Sequence, residues 1–288
     1  MSGAREDRAR AGRPVPAADA RSWLLVSAAD PDRFEAAAAS GADALVLDLE
    51  DAVDPGRKER ARAGVLAWLG SGGRAWVRIN DRASGFWAAD VGELREAPGL
   101  SGVVLAKTEA PGHVEDTAAA LGAGIPVVAL VESARGLQEA PRIARSGAFR
   151  LAFGSGDFRR DTGMGSSREA MAYARSRLTV ASRAAGLPGP VDGPTTDESL
   201  RVLREQAEWT VEFGMTGKLC LWPQQVRVVN EVIRPQGSDI EWALHFLADF
   251  EAAGGTVRDG SDPPRLGRAR KILRLARAFG LVEDAPGA

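Results

Sequence analysis

Eight short apolar runs separated by stretches of helical character constrain this chain more than any other feature. The runs fall at residues 22–26, 44–47, 75–80, 102–107, 126–133, 151–154, 190–192 and 219–222. Between them the spacing predicts helices over 31–39, 58–69, 112–121, 137–145 and 167–185, a helix capped by Asp197 and reaching Phe213, and one over 225–233. Apolar runs without polar alternation read as strands buried on both faces. Strands alternating with helices, with no long linker, imply a parallel sheet joined by right-handed crossovers. Eight of them predict an α/β fold of the closed (β/α)8 TIM-barrel type rather than an open doubly wound sheet. A dinucleotide-binding fold would need its glycine fingerprint after the first strand. Gly154-Ser155-Gly156 is too short for that, and Gly217-Lys218 lacks the following Ser or Thr of a phosphate-binding loop.

The expected organisation is a disordered tail over 1–20, a barrel over 21–235 and a C-terminal helical extension over 236–288. The tail is rich in Ala, Arg and Pro without the apolar core of a signal peptide. The extension holds a helix over 239–253, a Gly/Asp/Pro-rich hinge over 254–264 and a basic amphipathic helix over 265–279, suited to a lid or to an arm on a neighbouring subunit.

Where the second run ends, three carboxylates arrive within four residues: Asp48, Glu50 and Asp51. Unpaired buried acids cost several kcal/mol, so a cation, hydrogen-bond donors or solvent must compensate them. Barrel enzymes build their sites at the C-terminal ends of the strands. Here those ends carry Asp48, Glu50 and Asp51, then Arg78 and Asn80, Lys107 and Glu109, Glu132, and Asp157. Acids from three strands could share a hard divalent cation. Oxygen ligands without thiolate favour Mg²⁺, with Mn²⁺ second. Arg78 and Lys107 would then serve an anionic substrate, the arginine by a bidentate grip on a carboxylate. The alternative is a ring of structural salt bridges at the barrel mouth.

Composition narrows the rest. A net charge of −2 gives no reason to expect a nucleic-acid or membrane-surface partner. Only His113 and His245 are available for a zinc site or a Ser-His-Asp triad. The single cysteine, Cys220, suits a reducing, cytoplasmic setting and reads as an inert buried thiol. No apolar run reaches membrane-spanning length.

Seven motifs in order then carry a resemblance. They are Arg21-Ser22-Trp23-Leu24-Leu25-Val26; Leu47-Asp48-Leu49-Glu50-Asp51-Ala52-Val53 with Lys58 and Ala61-Arg62; Val77-Arg78-Ile79-Asn80; Lys107-Thr108-Glu109; Val131-Glu132-Ser133-Ala134-Arg135-Gly136-Leu137; Phe153-Gly154-Ser155-Gly156-Asp157; and Gly217-Lys218 through Trp222-Pro223-Gln224-Gln225-Val226. Over residues 21–279 the chain resembles the HpcH/HpaI aldolase and citrate lyase β-subunit (CitE-like) family. The resemblance implies a (β/α)8 barrel, a homotrimer or hexamer, and Mg²⁺-dependent cleavage or formation of carbon–carbon bonds. By position it implies that Glu132 and Asp157 ligate the metal and that Glu50 and Asp51 hold metal-bound waters. Arg78 would bind the substrate carboxylate and the enolate oxygen. Lys107 and Gly156 would lie on the substrate side, with Glu109 near the rim. Arg21 and Lys58 would face a CoA or phosphate group, a solvated surface position being the alternative for Lys58. Asp262, with Pro264, Arg268 and Ala269, matches a segment that supplies an acid/base Asp to an adjacent subunit; a plain hinge is the alternative.

Two positions depart from the family pattern. Ser27 stands where the family commonly has Pro, and Trp222 where it commonly has His. The expected activity is a retro-aldol or retro-Claisen lyase acting on a carboxylate-bearing β-hydroxyacyl-CoA of the citryl-CoA or malyl-CoA kind, with the 163–167 loop shaping the acyl pocket. The alternatives are a CoA-independent class II 2-oxo-acid aldolase, an acyl-CoA thioesterase, and a non-catalytic lyase subunit. A phosphotransferase would need a nucleotide site that the sequence does not offer.

Overall fold

A computed structural model describes residues 14–283. It divides into a unit spanning Ala20–Ile233 and a second that joins residues 14–19 to the chain from Arg234 onward. In the first unit, β1 (Ser22–Ser27), β2 (Ala44–Asp48), β3 (Ala75–Ile79), β4 (Leu100–Leu105), β5 (Val127–Val131), β6 (Arg150–Phe153), β7 (Val191–Asp192) and β8 (Gly217–Cys220) close into a barrel in sequence order. Every neighbouring pair is parallel, β8 returning to β1. The helices are α1 (Phe34–Ala38), α2 (Lys58–Gly70), α3 (Trp87–Leu94), α4 (Pro111–Leu121), α5 (Ala134–Ile143), α6 (Ser155–Thr162), α7 (Arg168–Ala184), α8 (Leu200–Glu212) and α9 (Pro223–Val232).

Strands β2, β5 and β6 are buried at every residue, because barrel interior and outer helices cover both faces. That double burial is what the unalternating apolar runs encode. Helix starts follow their local chemistry. The Ser133 and Ser167 hydroxyls accept from the N–H groups of Gly136 and Ala170, capping α5 and α7. Proline opens α4 and α9 where its missing N–H costs nothing.

At the N-terminal end of the barrel, the buried Arg150 and the partly buried Arg21 tie strands and loops together. Arg150 donates to the carbonyls of Gly189 and Ala20 at 2.6 and 3.0 Å, and to the Thr216 hydroxyl at 2.8 Å. Arg21 grips Asp43 from Nε at 2.7 Å.

Some boundaries differ from expectation. Helices α3 and α6 were not anticipated: α3 has no side-chain cap, and α6 buries only Phe158. Strand β8 starts at Gly217 instead of 219. Asp197 accepts from Ser199 N–H in a turn, and α8 begins only at Leu200. Part of the expected tail lies outside the described residues. Residues 14–19 belong with the C-terminal unit, where Arg274 reaches Asp19 at 2.5 Å.

In that unit, α10 (Gly237–Ala252) packs on α11 (Asp262–Ala278) through Ala243, Phe246, Ala269 and Leu273. Arg268 lies 4.7 Å above the Trp242 ring and pairs with Asp239 at 2.9 Å. The helix begins three residues earlier than its apolar pattern suggested, so the connecting segment is shorter than a hinge over 254–264. No helix among the described residues is long and apolar enough to cross a membrane.

Candidate active site

Parallel strands place the carboxyl ends of β2 to β6 on one rim. Asp48 and Arg78 are register partners on β2 and β3, so their side chains emerge side by side. The carboxylate takes the guanidinium in a two-point grip, Nε to Oδ1 at 2.7 Å and Nη2 to Oδ2 at 2.5 Å. The Arg78 Nη1 lies 3.2 Å from Glu50 Oε2. Burial works against the arginine's charge, but Asp48, Glu50 and Glu132 outweigh it, and the guanidinium is held well above its ordinary pKa.

Lys107 follows β4 with φ of 46°, a left-handed conformation that side-chain-bearing residues seldom adopt. It thereby serves two acids. Its backbone N–H donates to Glu132 Oε1 at 2.7 Å, while its ammonium meets Glu50 Oε1 and lies 3.3 Å from Asp51 Oδ1. Burial pushes the Glu50 carboxyl up. Burial also opposes the charge of Asp51, but hydrogen bonds from Glu50 and Lys107 hold that carboxyl below its ordinary value.

Glu132 stands one residue past β5, 5% exposed. Burial drives its pKa to about 8 despite the Arg78 charge and the Lys107 N–H, and Glu50 and Asp157 push in the same direction. Glu132 thus shares one electrostatic environment with Arg78, Glu50 and Asp157. Asp157 sits in the first turn of α6, with Oδ2 3.0 Å from Arg160. Gly154 makes this approach feasible. A methyl group there would overlap the Glu132 side chain, its Cδ only 3.0 Å away. Gly156, exposed beside Asp157, leaves open space at the rim.

The donor set fits a hard divalent cation. Five carboxylates, Asp48, Glu50, Asp51, Glu132 and Asp157, face three cations, Arg78, Lys107 and Arg160. Glu50 Oε2 and Asp157 Oδ2 are buried without an aligned hydrogen-bond donor. Among the described residues, no three His, Cys, Asp or Glu side chains form a metal cluster by themselves. Mg²⁺ commonly takes one or two carboxylates and completes its shell with waters and substrate oxygens.

Comparisons with known proteins bear on this rim. Residues 21–223 match the model of the HpcH/HpaI aldolase/citrate lyase family, and residues 238–280 match that of the HpcH/HpaI aldolase C-terminal domain. The chain belongs to the HpcH/HpaI aldolase/citrate lyase family. It is 31% identical to an L-malyl-CoA/beta-methylmalyl-CoA lyase of Cereibacter sphaeroides, covering 91% of this chain and 96% of that one. It is 31% identical to a citrate lyase subunit beta-like protein of Mycobacterium tuberculosis, covering 88% and 94%. Among solved structures, protein CitE of Mycobacterium tuberculosis in complex with magnesium, acetoacetate and coenzyme A superposes with a TM-score of 0.75 at 30% identity, covering 90% of this chain and 99% of that one. RipC of Yersinia pestis superposes at 0.68 with 28% identity, covering 78% and 100%.

The fold corrects two expectations drawn from the family motifs. Arg21 precedes β1, so it lies at the end of the barrel opposite the acidic rim, and its guanidinium is occupied by Asp43 and the Asn230 carbonyl. It is a fastening of the barrel floor, not a substrate contact. Lys58 faces neither a phosphate nor solvent. It is 6% exposed, and its ammonium donates to the carbonyls of Leu49 and Glu50 and to Asn80 Oδ1 at 2.7–2.8 Å. Asn80 continues to Asp90, and Asp90 to Arg62, so a buried polar chain fixes the backbone from which Glu50 projects. Glu109, just past β4, accepts from the Ser133 hydroxyl at 2.6 Å beside the start of α5.

Both departures from the family pattern have structural settings. The Ser27 hydroxyl donates to the Ala52 carbonyl at 2.7 Å, tying the end of β1 to the acidic loop. Trp222 is half-buried and immediately precedes α9. Asp262 is 2% exposed in the first turn of α11. Hydrogen bonds from Arg258 hold its carboxyl below the ordinary range, with Nε at 3.1 Å and the Arg258 backbone N–H at 2.9 Å. Cys220 is buried, and desolvation pushes its thiol to about 12, so it is inert as expected.

Proposed function

We propose that this chain is a Mg²⁺-dependent carbon–carbon lyase acting on a carboxylate-bearing β-hydroxyacyl-CoA of the malyl-CoA or citryl-CoA type. The observation that carries the reading is the buried Glu132 carboxyl group, which accepts from the Lys107 N–H at 2.7 Å while the Lys107 ammonium meets Glu50 and Glu50 in turn faces Arg78. Glu132 and Asp157 would hold the metal, and Glu50 and Asp51 would order water around it. Bound there, Mg²⁺ would supply Lewis-acid polarisation to the substrate's oxygens. Arg78, locked by Asp48, presents a fixed positive charge to the thioester oxygen. As the hydroxyl loses its proton, its oxygen forms the new carbonyl. The bond between the hydroxyl-bearing carbon and the next carbon breaks, and its electrons pass into the thioester as an enolate that Arg78 stabilises. Donors fixed before the reaction stabilise charge that appears only in the transition state. Lys107 keeps Glu50 and Asp51 in place, and Gly156 leaves room for the acyl group.

In this reading Asp262 from a second copy of the chain, released from Arg258 as the copies assemble into a trimer or hexamer, takes the hydroxyl proton and returns it to the enolate carbon to give the acyl-CoA. The setting is cytoplasmic. A panel of hydroxyacyl-CoAs and 2-oxo acids, assayed with Mg²⁺ and with chelator, tests the proposal. Release of an acyl-CoA and a 2-oxo acid, lost in E132Q and D157N and regained when E132Q and D262N proteins are mixed, is the expected result. Free CoA thiol together with the uncleaved hydroxy acid would mark a thioesterase, and turnover confined to CoA-free substrates an aldolase. Full activity of E132Q in chelator would end the metal assignment.

A further inference from the structure

Asp157 is carried by α6, whose first residue, Ser155, meets a glycine from another part of the barrel. Gly193 follows β7, and a methyl group built on its Cα would overlap the Ser155 hydroxyl, 2.6 Å from Ser155 Cβ and 3.1 Å from the Phe153 carbonyl oxygen. Gly193 is not among the glycines of positive φ, so the position demands space and not a special backbone conformation.

The Gly193 peptide cannot retreat from such a clash. Its N–H donates to Asp192 Oδ1 at 2.9 Å, and its carbonyl accepts from the buried Lys218 ammonium at 2.7 Å. Asp192 is itself gripped by Arg175 Nε at 3.0 Å and by the Thr210 hydroxyl at 2.7 Å. Two residues on, the Thr195 carbonyl accepts from Gln225 at 2.9 Å. The loop after β7 is therefore an anvil fixed to α7, α8, β8 and α9. What can move is the start of α6.

We infer that Gly193 is a positioning residue for metal binding, its missing side chain setting where Ser155, and two residues later Asp157, come to rest. The inference builds on the assignment of Asp157 as a metal ligand. No side chain of Gly193 reaches the rim, so it acts only through Ser155.

Mg²⁺ affinity of the full chain, measured by isothermal titration calorimetry, tests this. G193A is expected to weaken binding on the order of 10–100-fold, the range seen when support behind a metal ligand is lost. S155G removes the colliding atoms, and G193A/S155G is expected to recover most of the affinity. S155V, which enlarges the contact from the helix side, should weaken binding without altering the pinned peptide. G189A serves as a control: its methyl would meet Thr216 at 2.7 Å at the N-terminal end of β7, so it should lower the melting temperature and leave Mg²⁺ affinity alone. G193A or S155V binding as the wild type does, or a folded double variant as weak as G193A, would overturn the inference. A wild type that binds no Mg²⁺ would instead overturn the assignment of Asp157 beneath it.

Discussion

Asp48 holds Arg78 by both edges of its fork, at 2.7 and 2.5 Å, from the facing register position on the neighbouring strand. The carboxylate is 1% exposed and the guanidinium 12%, so the pair is nearly dry, with only the arginine reaching the rim. Such a pair orients the guanidinium to which the proposed reaction assigns the enolate, and leaves one arm unused. Nη1 is the arm left over, and it is the one near Glu50.

This geometry predicts how the two partners fail. In D48N the shape is kept and the charge lost, so Arg78 gains freedom and kcat should fall on the order of 10²-fold. R78K cannot form the fork at all, and should lose as much or more. Calorimetric Mg²⁺ affinity should change little in either, because Glu132 and Asp157 are untouched. Steady-state kinetics beside calorimetry checks this; a kcat unchanged in R78K would remove Arg78 from the chemistry.

Glu132 predicts a proton linkage. Burial raises its metal-free pKa to about 8, so at neutral pH it is mostly protonated, and an arriving cation must displace that proton. Mg²⁺ affinity should therefore climb about tenfold per pH unit below pH 8 and level off above it. Near pH 7, binding should release close to one proton, seen as a heat that scales with buffer ionisation enthalpy. E132Q should show no such release. A pH-independent affinity between pH 6 and 8 would contradict the placement of Glu132 at the metal.

Much of this was legible in the chain. The barrel was readable because each strand buried on both faces leaves an unbroken apolar run. The rim positions of Glu132 and Arg78 were readable because polar residues at the C-terminal ends of such runs fall on one rim, whereas Asp157 stands past its run, in the first turn of α6. Arg21 misled for want of the same logic: it precedes its strand, and strand polarity alone sends it to the opposite end. Lys58 and Lys218 were hidden for another reason. Their partners are backbone carbonyls and acids distant in sequence, a contact that no local pattern encodes. Helix α6 was missed because SGDFRRDT offers a single apolar residue to bury, so periodicity had nothing to detect. Asp48 was seen as an acid of the mouth, but its task of holding Arg78 needed the register between two strands.

The Asp192 cluster yields a stability prediction with a definite sign. Burial alone would raise the Asp192 carboxyl, but Lys218 and Arg175 outweigh it and hold the pKa below its ordinary value. A carboxylate depressed in the folded state stabilises the fold at pH values above its unfolded pKa of about 3.9 and ceases to do so as pH falls through the lower folded value. D192N leaves the Lys218 ammonium and the Arg175 guanidinium buried against a neutral amide. Breaking a buried pair in this way costs about 3–5 kcal/mol. Urea unfolding at pH 7 should show a loss of that size. The gap between wild type and D192N should narrow as the pH is taken below about 4, because acid neutralises the same carboxylate in the wild type. A gap of constant size down to pH 2.5 would mean that the Asp192 charge contributes nothing, and that only its shape supports the loop beside α6.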